Sequence, residues 1–345
     1  MNLKTTSKIL WNINRNIFFP RVERLILHVT RRCPLNCSHC FVNKNNEKHQ
    51  EITLSQIKKI AGNLNPLMWL DIGGGEPFLR DDLYEICSQF SAVQIGIPTS
   101  GWFIDKTINI SRRLFQTFGE GVLINVSIDG FKETHDKIRT NGSYERAIET
   151  LKGLLGITGL RVAIISTLSQ TNIDELPEFI KYMKQYNVFS HNVNIMRGKP
   201  SDENMILPDV EKLRQFSKQL FTIIDSDNYK WKGLSGAAMS KFNIRYVKKK
   251  WDIALDILEQ KRQVIPCLAG ISHIVVHSNG DVSPCELLPS VGNINNDSFK
   301  SIINSDDINK AVKSIKNKEC FCTHECNMLD NVLLNLNTFC KVIVL

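Results

Sequence analysis

Three cysteines lie close together near the beginning of the chain, in the segment RRCPLNCSHCF at residues 31–41. Cys33, Cys37 and Cys40 are spaced C-x3-C-x2-C, so that all three thiolates belong to one short loop. Such thiolates can each bind a different iron of a [4Fe–4S] cluster, which leaves the fourth iron without a protein ligand. The alternatives are buried structural cysteines or a zinc site that includes His39, although His39 lies between two of the cysteines. The spacing favours an iron–sulfur cluster.

The other seven cysteines fall into two groups. Cys87 stands alone in a helical pattern and is predicted to be a small buried hydrophobic residue. Six more occur near the end of the chain: Cys267, Cys285, Cys320, Cys322, Cys326 and Cys340. In a reducing compartment, clusters of this kind indicate metal binding rather than disulfide bonds.

A regular framework must position these cysteines, and from residue 24 to about 197 apolar runs alternate with amphipathic stretches. Helical patterns separate the runs, and the first begins at a capping box formed by Thr53 and Gln56. The runs predicted as strands are RLILHVT (24–30), MWLDIGG (68–74), VQIGIPTS (93–100), VLINVSIDG (122–130), RVAIISTLS (161–169) and NVNIMRG (192–198).

Six such units with near-continuous apolar strands predict a parallel sheet covered by helices on its outer face. Six strands are too few for a closed eight-stranded barrel, so we expect an α/β fold with an open, partial (β/α)6 parallel barrel. Parallel α/β enzymes carry out their chemistry at the carboxyl ends of the strands. The polar segments GGGEP, TSG, SIDG, STLSQTN and MRG all occupy such ends, which predicts an enzyme.

The rest of the chain changes in character. After the barrel the pattern is helical and rich in Lys, Asp and Trp, and a hairpin turning at Asn279-Gly280 then opens a small cysteine-rich unit. We therefore divide the chain into an N-terminal extension (1–23), the barrel (24–200), a helical connector (201–265), the cysteine-rich domain (266–335) and a C-terminal tail (336–345).

Composition narrows the range of partners. The formal charge of +8 permits anionic partners, and the densest basic stretch, KFNIRYVKKKW at 241–251, is interpreted as a solvated helix face. No nucleic-acid-binding motif accompanies it, so a nucleic-acid partner is not expected. No apolar run is long enough to span a bilayer, and the first residues lack a secretory pattern. A cytoplasmic location without a membrane span is expected.

The cysteine loop directly after the first strand, with GGGEP after the second, resembles the radical S-adenosylmethionine (SAM) enzymes. The resemblance implies that Cys33, Cys37 and Cys40 hold a [4Fe–4S] cluster whose open iron is chelated by the amino and carboxylate groups of SAM. An electron donor such as flavodoxin or ferredoxin would reduce the cluster. Cleavage of SAM would then release a 5′-deoxyadenosyl radical that abstracts a substrate hydrogen.

The same resemblance implies contacts to SAM. Gly74, Gly75 and Glu76 resemble the motif that receives the SAM amino group, with the glycines letting the ligand approach. Further SAM contacts are implied for His39, Ser127, Asp129, Thr167 and Arg197, and positions near SAM for Ser100, Ser166, Asn172 and Gly198. His135, Asp136 and Arg139 match a pattern downstream, for which helix capping and ion pairing are the alternative explanation.

The C-terminal cysteines resemble the SPASM or twitch extension of this family, because Cys267-x12-Gly280-x4-Cys285 matches its opening. One auxiliary [4Fe–4S] cluster is expected, bound by Cys267, Cys285 and two of Cys320, Cys322 and Cys326. Cys322 with Cys326 is the first choice, and Cys320 is the substitute. A second auxiliary cluster that uses Cys340 and a zinc knuckle that includes His324 are the alternatives.

Two substrate classes stay open. The prediction is oxidative modification of a peptide or protein; the alternative is dehydrogenation or epimerisation of a small polar metabolite such as a sugar or aminocyclitol. About 23 residues precede the first strand and match no leader-binding domain, which favours a small molecule or a peptide delivered by a partner. A non-catalytic iron–sulfur electron carrier is the remaining class, and the GGGEP and VSIDG segments argue against it.

Overall fold

The computed structural model describes residues 21–42, 51–64, 66–226, 234–335 and 338–339. In these residues the strands are, in chain order, β1 (Arg24–Thr30), β2 (Leu67–Gly74), β3 (Ala92–Thr99), β4 (Val122–Ser127), β5 (Arg161–Leu168), β6 (Ser190–Ile195), β7 (His273–Val276), β8 (Asp281–Ser283) and β9 (Gly292–Asn293). They form one sheet in the spatial order β6-β5-β4-β3-β2-β1-β7-β8-β9. The first seven strands pair in parallel, while β8 and β9 are antiparallel to their neighbours.

Helices connect the strands. In the described part of the chain they are α1 (Leu54–Leu64), α2 (Leu83–Cys87), α3 (Ile104–Phe118), α4 (Lys132–Ile138), α5 (Ser143–Leu155), α6 (Leu176–Met183), α7 (Val210–Ser226), α8 (Leu234–Gln260), α9 (Phe299–Ile303), α10 (Asp306–Lys316) and α11 (Glu325–Leu333). The capping box predicted for α1 is confirmed: the Gln56 side chain accepts from the Thr53 N–H at 2.9 Å, and the Gln56 N–H donates to Thr53 Oγ1 at 3.3 Å.

Successive side chains along each barrel strand point alternately to a core face and to an inner face. In β1, Leu25, Leu27 and Val29 point into the main hydrophobic core against the helices. The intervening residues, Ile26 and His28 among them, line a cavity on the opposite face. Because side chains alternate with a period of two, each barrel strand can bury apolar residues outward and present different residues inward.

The predicted β/α units are confirmed, with some boundaries moved. The predicted strand 122–130 ends at Ser127, and the predicted strand 192–198 is observed at Ser190–Ile195. Gly198 has a φ of +69°, which a glycine adopts without strain and which is incompatible with an extended strand. The polar segments after both strands are therefore loops, so they are free to turn towards the centre of the sheet.

The C-terminal region extends the same sheet. The predicted hairpin is present as β7 and β8, with Gly280 at φ +89° in its turn, and β7 pairs in parallel with β1. Asp330 of α11 is fully buried and accepts from Arg24 Nε at 3.0 Å and from Ser272 Oγ at 3.1 Å. These bonds fasten α11 to the first residue of β1.

In the described part of residues 201–265 the helices are α7 and α8. Trp251 of α8 packs on Phe216 of α7 with ring centroids 5.5 Å apart. Ile253 and Ile257, on the same helix, pack on Met328 and Val332 of α11. Helix α8 therefore contacts both the barrel side and the C-terminal region.

Some predictions lie wholly or partly outside the described residues: the N-terminal extension before residue 21, Cys340 and most of the C-terminal tail, and the side chain of Cys326. Over the residues that are described, no helix is both long enough and apolar enough to cross a membrane.

Candidate functional site

A cavity of about 480 Å³ occupies the inside of the first six strands and their carboxyl ends. Its volume lies in the range of small-molecule and cofactor sites. Predicted site residues that line it are Cys33, Cys37, His39, Cys40, Gly74, Gly75, Glu76, Ser127, Thr167 and Arg197. The fold thus brings together residues from the cysteine loop and from the ends of β2, β4, β5 and β6.

The cysteine loop is held from two sides. The Gly75 and Glu76 N–H groups donate to the Thr30 and Arg32 carbonyls at 2.7 and 2.9 Å, which fixes the start of the loop against the end of β2. Its middle is fixed to the end of α4, because the Ser38 N–H donates to the Ile138 carbonyl at 2.8 Å. The three thiols are therefore carried on a braced segment of backbone.

The two glycines after β2 are required by this bracing. A side-chain carbon at Gly74 would come within 2.1 Å of the Thr30 carbonyl oxygen, and one at Gly75 within 2.1 Å of the Arg32 carbonyl oxygen. Gly74 also has a φ of +118°. The reason for these glycines is thus close packing of the cysteine loop, in addition to the ligand approach that the sequence suggested.

Glu76 connects the ends of β2 and β3. Its carboxylate is buried and accepts from the Ser100 N–H at 2.7 Å, Ser100 Oγ at 2.6 Å, Thr99 Oγ1 at 3.0 Å and the Phe78 N–H at 3.3 Å. Burial raises the pKa of Glu76, and the hydrogen bonds from Ser100 oppose that increase. The GGGEP and TSG segments therefore form one hydrogen-bonded unit at the cavity wall.

Asp129 lies behind the wall rather than on it. Its carboxylate accepts from Arg139 Nε at 2.6 Å and from the Thr167 N–H at 2.8 Å. Burial alone would raise the pKa of Asp129, but the Arg139 guanidinium lowers it to about 2. The other face of Arg139 reaches the thiols, with Nη1 at 4.0 Å from Cys37 Sγ. Asp129 and Arg139 therefore connect the Cys37 thiol to the backbone of Thr167.

The remaining polar residues of these segments are mostly structural. Asp136 accepts from the Gly142 and Tyr144 N–H groups at 2.9 and 2.8 Å, at the start of α5. Asn172 donates to the Asp129 and Thr167 carbonyls at 2.8 and 2.9 Å. Ser166 and His135 are also buried behind the wall. None of these four residues lines the cavity, whereas Arg139 does.

His39 keeps an aromatic surface next to the cysteines. Burial lowers its pKa to about 4, although Asp129, 3.8 Å from its Nδ1, works against that change. The ring is therefore neutral near pH 7. Within the described residues its Nδ1 has no hydrogen-bond partner.

A second group of cysteines gathers at the C-terminal end. Cys267 precedes β7, Cys285 follows β8, and Cys320 and Cys322 lie between α10 and α11. Cys285 and Ile315 share a small apolar cluster into which Cys267 and Cys320 also pack. Burial, with a smaller contribution from the neighbouring thiols, raises the pKa of Cys285 to about 12 and that of Cys322 to about 11. Four thiols thus meet in a shielded, largely apolar environment.

Both groups fit iron–sulfur clusters in ligand type and number. Three thiols on one loop leave one iron of a cubane open, and four thiols close a cubane. Across the described residues, no three Cys, His, Asp or Glu side chains converge as ligands of a single metal ion do. A cubane takes one thiolate for each iron and does not need such convergence. Cys87 is fully buried in the main core and belongs to neither group.

Glu286 links the two groups, and the sequence pattern did not single it out. It follows Cys285 and is buried at the cavity, where its Oε1 lies 2.7 Å from His28 Nε2 and its Oε2 lies 3.3 Å from Arg197 Nη2. His324 contacts the same carboxylate. Burial alone would raise the pKa of Glu286, but His324 and Arg197 hold it well below its usual value. The sequence offered one indication of this residue, namely a carboxylate directly after the candidate cluster ligand Cys285.

Residues inside the barrel were also missed. Asp71, Asn125 and Asn194 line the cavity from β2, β4 and β6. Asp71 and Asn125 each interrupt an apolar strand, which is a signal that a polar residue points inward.

Comparison with known proteins matches two separate regions of the chain. Residues 27–183 match the family model of the Radical SAM superfamily, and residues 267–327 match SPASM, an iron–sulfur cluster-binding domain. The solved structure of Streptococcus suis SuiB bound to its precursor peptide SuiA has the same fold, with a TM-score of 0.65 at 15% identity. It is matched over 90% of this chain and 70% of that one.

Two curated relatives are more similar in sequence. The chain is 27% identical over 305 residues to the antilisterial bacteriocin subtilosin biosynthesis protein AlbA of Bacillus subtilis, which covers 85% of this chain and 62% of AlbA. It is 29% identical over 311 residues to the AdoMet-dependent heme synthase of Methanosarcina barkeri, over 83% of each chain. The match thus spans less than two thirds of the length of AlbA.

Proposed function

We propose that this chain, which belongs to the radical SAM superfamily and carries a C-terminal SPASM domain, cleaves SAM reductively to abstract hydrogen from a peptide substrate. A [4Fe–4S] cluster with SAM, and an auxiliary iron–sulfur cluster, are the cofactors that these two domains bind. One observation carries the proposal: the three thiols of the cysteine loop face the cavity that the strand ends enclose. When bound, the first cluster supplies the electron that splits the sulfonium of SAM into methionine and a 5′-deoxyadenosyl radical.

The chain's own residues would hold and shield these groups. Cys33, Cys37 and Cys40 would bind three irons, and Arg139 beside Cys37 places a positive charge next to a thiolate-bound cluster. The neutral His39 ring offers a surface for stacking. Apolar residues of the same wall, such as Ile165 and Ile195, restrict the access of water.

For the auxiliary cluster we propose Cys267, Cys285, Cys320 and Cys322 as ligands. Support comes from the mutual proximity of the four thiols and from the surrounding apolar side chains. This set replaces the pair preferred from sequence spacing, Cys322 with Cys326, by Cys322 with Cys320. Glu286 would then lie between the auxiliary cluster and the cavity in which SAM is proposed to bind, and that cluster could accept an electron from a substrate radical.

A peptide is the favoured substrate because AlbA takes part in bacteriocin biosynthesis. The heme synthase, matched over most of its length, supports a second candidate, a tetrapyrrole. Addition of a porphyrin to the reconstituted protein separates the two: a shifted Soret band that saturates at one equivalent favours the tetrapyrrole, and no shift favours the peptide. For both, we propose a flavodoxin or ferredoxin as electron donor.

Reductive cleavage is tested on protein reconstituted with iron and sulfide in the absence of oxygen. After incubation with SAM and dithionite, chromatography should detect 5′-deoxyadenosine in the parent and in the control Cys87→Ala, but not in Cys37→Ala. Deoxyadenosine from Cys37→Ala at the parent rate would overturn the proposal. So would a parent protein that holds its full iron content and binds SAM yet produces none, with or without candidate peptides.

A further inference from the structure

The cavity has two levels with different chemistry. The upper level contains the cysteine loop, Gly74, Ser127 and Thr167 at the strand ends. Deeper in the barrel lie Asp71 and Asn125, which we call the polar floor. Asn125 precedes Ser127 by two residues, which places it about 7 Å further into the barrel at about 3.3 Å per residue. The cluster and SAM are proposed to occupy the upper level, and this leaves the polar residues of the floor without a ligand.

Asn125 is a buried amide that faces this space. It is only 9% exposed and it lines the cavity. Within the described part of the chain, its amide has no hydrogen-bond partner. No other described group of the protein takes up the hydrogen bonds of this amide, so a ligand in the cavity can form them. The floor is therefore built to meet a polar group.

Gly96 of β3 creates the room for that group. A side-chain carbon built there would lie 3.1 Å from Asp71 Oδ1 and 3.9 Å from Asn125 Nδ2. Gly96 has no positive φ, so the backbone itself does not require glycine. A ligand atom at this position would touch an acceptor on one side and an amide on the other.

The charges indicate a neutral ligand. Asp71 Oδ2 pairs with Arg24, and Arg24 also pairs with the buried Asp330. Asp71 Oδ1 can accept a hydrogen bond, and the Asn125 amide can donate as well as accept. A carboxamide has this complementary set of one acceptor and N–H donors. An anionic carboxylate would be repelled by Asp71 and could not donate to it.

We propose that the polar floor binds a carboxamide of the substrate, either an Asn or Gln side chain or a main-chain peptide group. The inference rests on the proposed function in one respect, that the substrate enters the same cavity as SAM. Asp71 and Asn125 then determine specificity by accepting from and donating to the amide. Gly96 determines how closely the amide can approach them.

Binding is measured directly on the reconstituted full chain with SAM, by ligand-observed NMR. The probes are the N-acetyl, N′-methylamide derivatives of asparagine, alanine and aspartate. The variants are Gly96→Ala, which fills the space, and Asn125→Leu, which removes the amide at similar size. Gly62→Ala is the matched control, because a side-chain carbon there has nothing within 4 Å. Iron content of each variant reports whether it has folded and taken up its clusters.

We expect the asparagine derivative to bind the parent and Gly62→Ala equally, and both floor variants at least tenfold more weakly. Asparagine binding more tightly than alanine identifies a side-chain amide, and equal binding identifies the main chain. Where asparagine binds more tightly than alanine, aspartate binding as tightly as asparagine would overturn the inference. Full binding by Gly96→Ala would overturn it in either case. Deoxyadenosine assayed on the same samples is independent of these results: its absence with intact amide binding contradicts the proposed function and leaves the floor assigned.

Discussion

The two cysteine groups of this protein are built in opposite ways. The N-terminal group places three thiols on eight consecutive residues of one loop, open to a cavity and next to the Arg139 guanidinium. The C-terminal group assembles thiols from three separate segments in an apolar environment, where burial raises the pKa of Cys285 and Cys322. The first arrangement suits a cluster that must bind a ligand; the second suits a cluster that is enclosed by protein.

The largest effect is expected from a ligand of the open group. Cys37→Ala should lower deoxyadenosine formation by more than about a hundredfold, since loss of even an outer-shell partner of a metal site costs about 10–100-fold. Iron should fall by about four per chain, one cubane. Iron analysis and chromatography of the nucleoside measure both quantities, with Cys87→Ala as a control that keeps its iron.

A ligand of the closed group should behave differently. Cys285→Ala should also lose about four irons per chain, yet its SAM cleavage without product should stay within about threefold of the parent. The reason is that Cys285 does not line the cavity in which SAM is proposed to bind. If this variant loses deoxyadenosine as completely as Cys37→Ala, the two groups do not act separately and the comparison fails.

A matched pair of variants tests which cysteines belong to the closed group. Cys320→Ala should lose the auxiliary cluster, because the Cys320 thiol packs with Cys267 and Cys285. Cys326→Ala should retain it under the proposed ligand set. Iron counts and the absorbance near 400 nm of the two variants decide between them; the reverse result would restore the pair preferred from sequence spacing.

The smallest effect is expected at the junction of the two groups. Glu286→Gln removes the charge that pairs with Arg197 and His28, and loss of one member of a buried ion pair costs about 3 kcal/mol. Thermal unfolding should therefore start at a lower temperature, while both clusters are retained. An unchanged unfolding temperature would contradict the assignment of Glu286 as the connection between the regions.

The sequence was sufficient for features that depend on local pattern. The barrel strands follow from apolar runs of strand length, and the α1 start from Thr53 and Gln56. The hairpin follows from Asn279-Gly280. Each of these is determined by neighbours within a few residues, so spacing alone predicts it.

Features that depend on distant pairing were not predictable in this way. Glu286 meets His28 from a position 258 residues away, and no local pattern encodes that contact. Gly74 and Gly75 were assigned to ligand approach, whereas the structure adds the clash with the carbonyls of the cysteine loop. Asn125 could have been predicted from the sequence, because a polar residue inside the strand VLINVS already indicates an inward-facing position.

Electron paramagnetic resonance can distinguish a cluster that is open to SAM from one that is closed. Samples reduced without oxygen are frozen with and without SAM, and their iron is counted. We predict about eight irons per chain and two reduced-cluster signals, of which SAM changes one. Cys37→Ala should lack the SAM-sensitive signal, and Cys285→Ala should keep it. Two results would contradict these assignments. One is a parent protein with full iron content in which SAM alters neither signal; the other is a Cys37→Ala variant in which SAM still alters both.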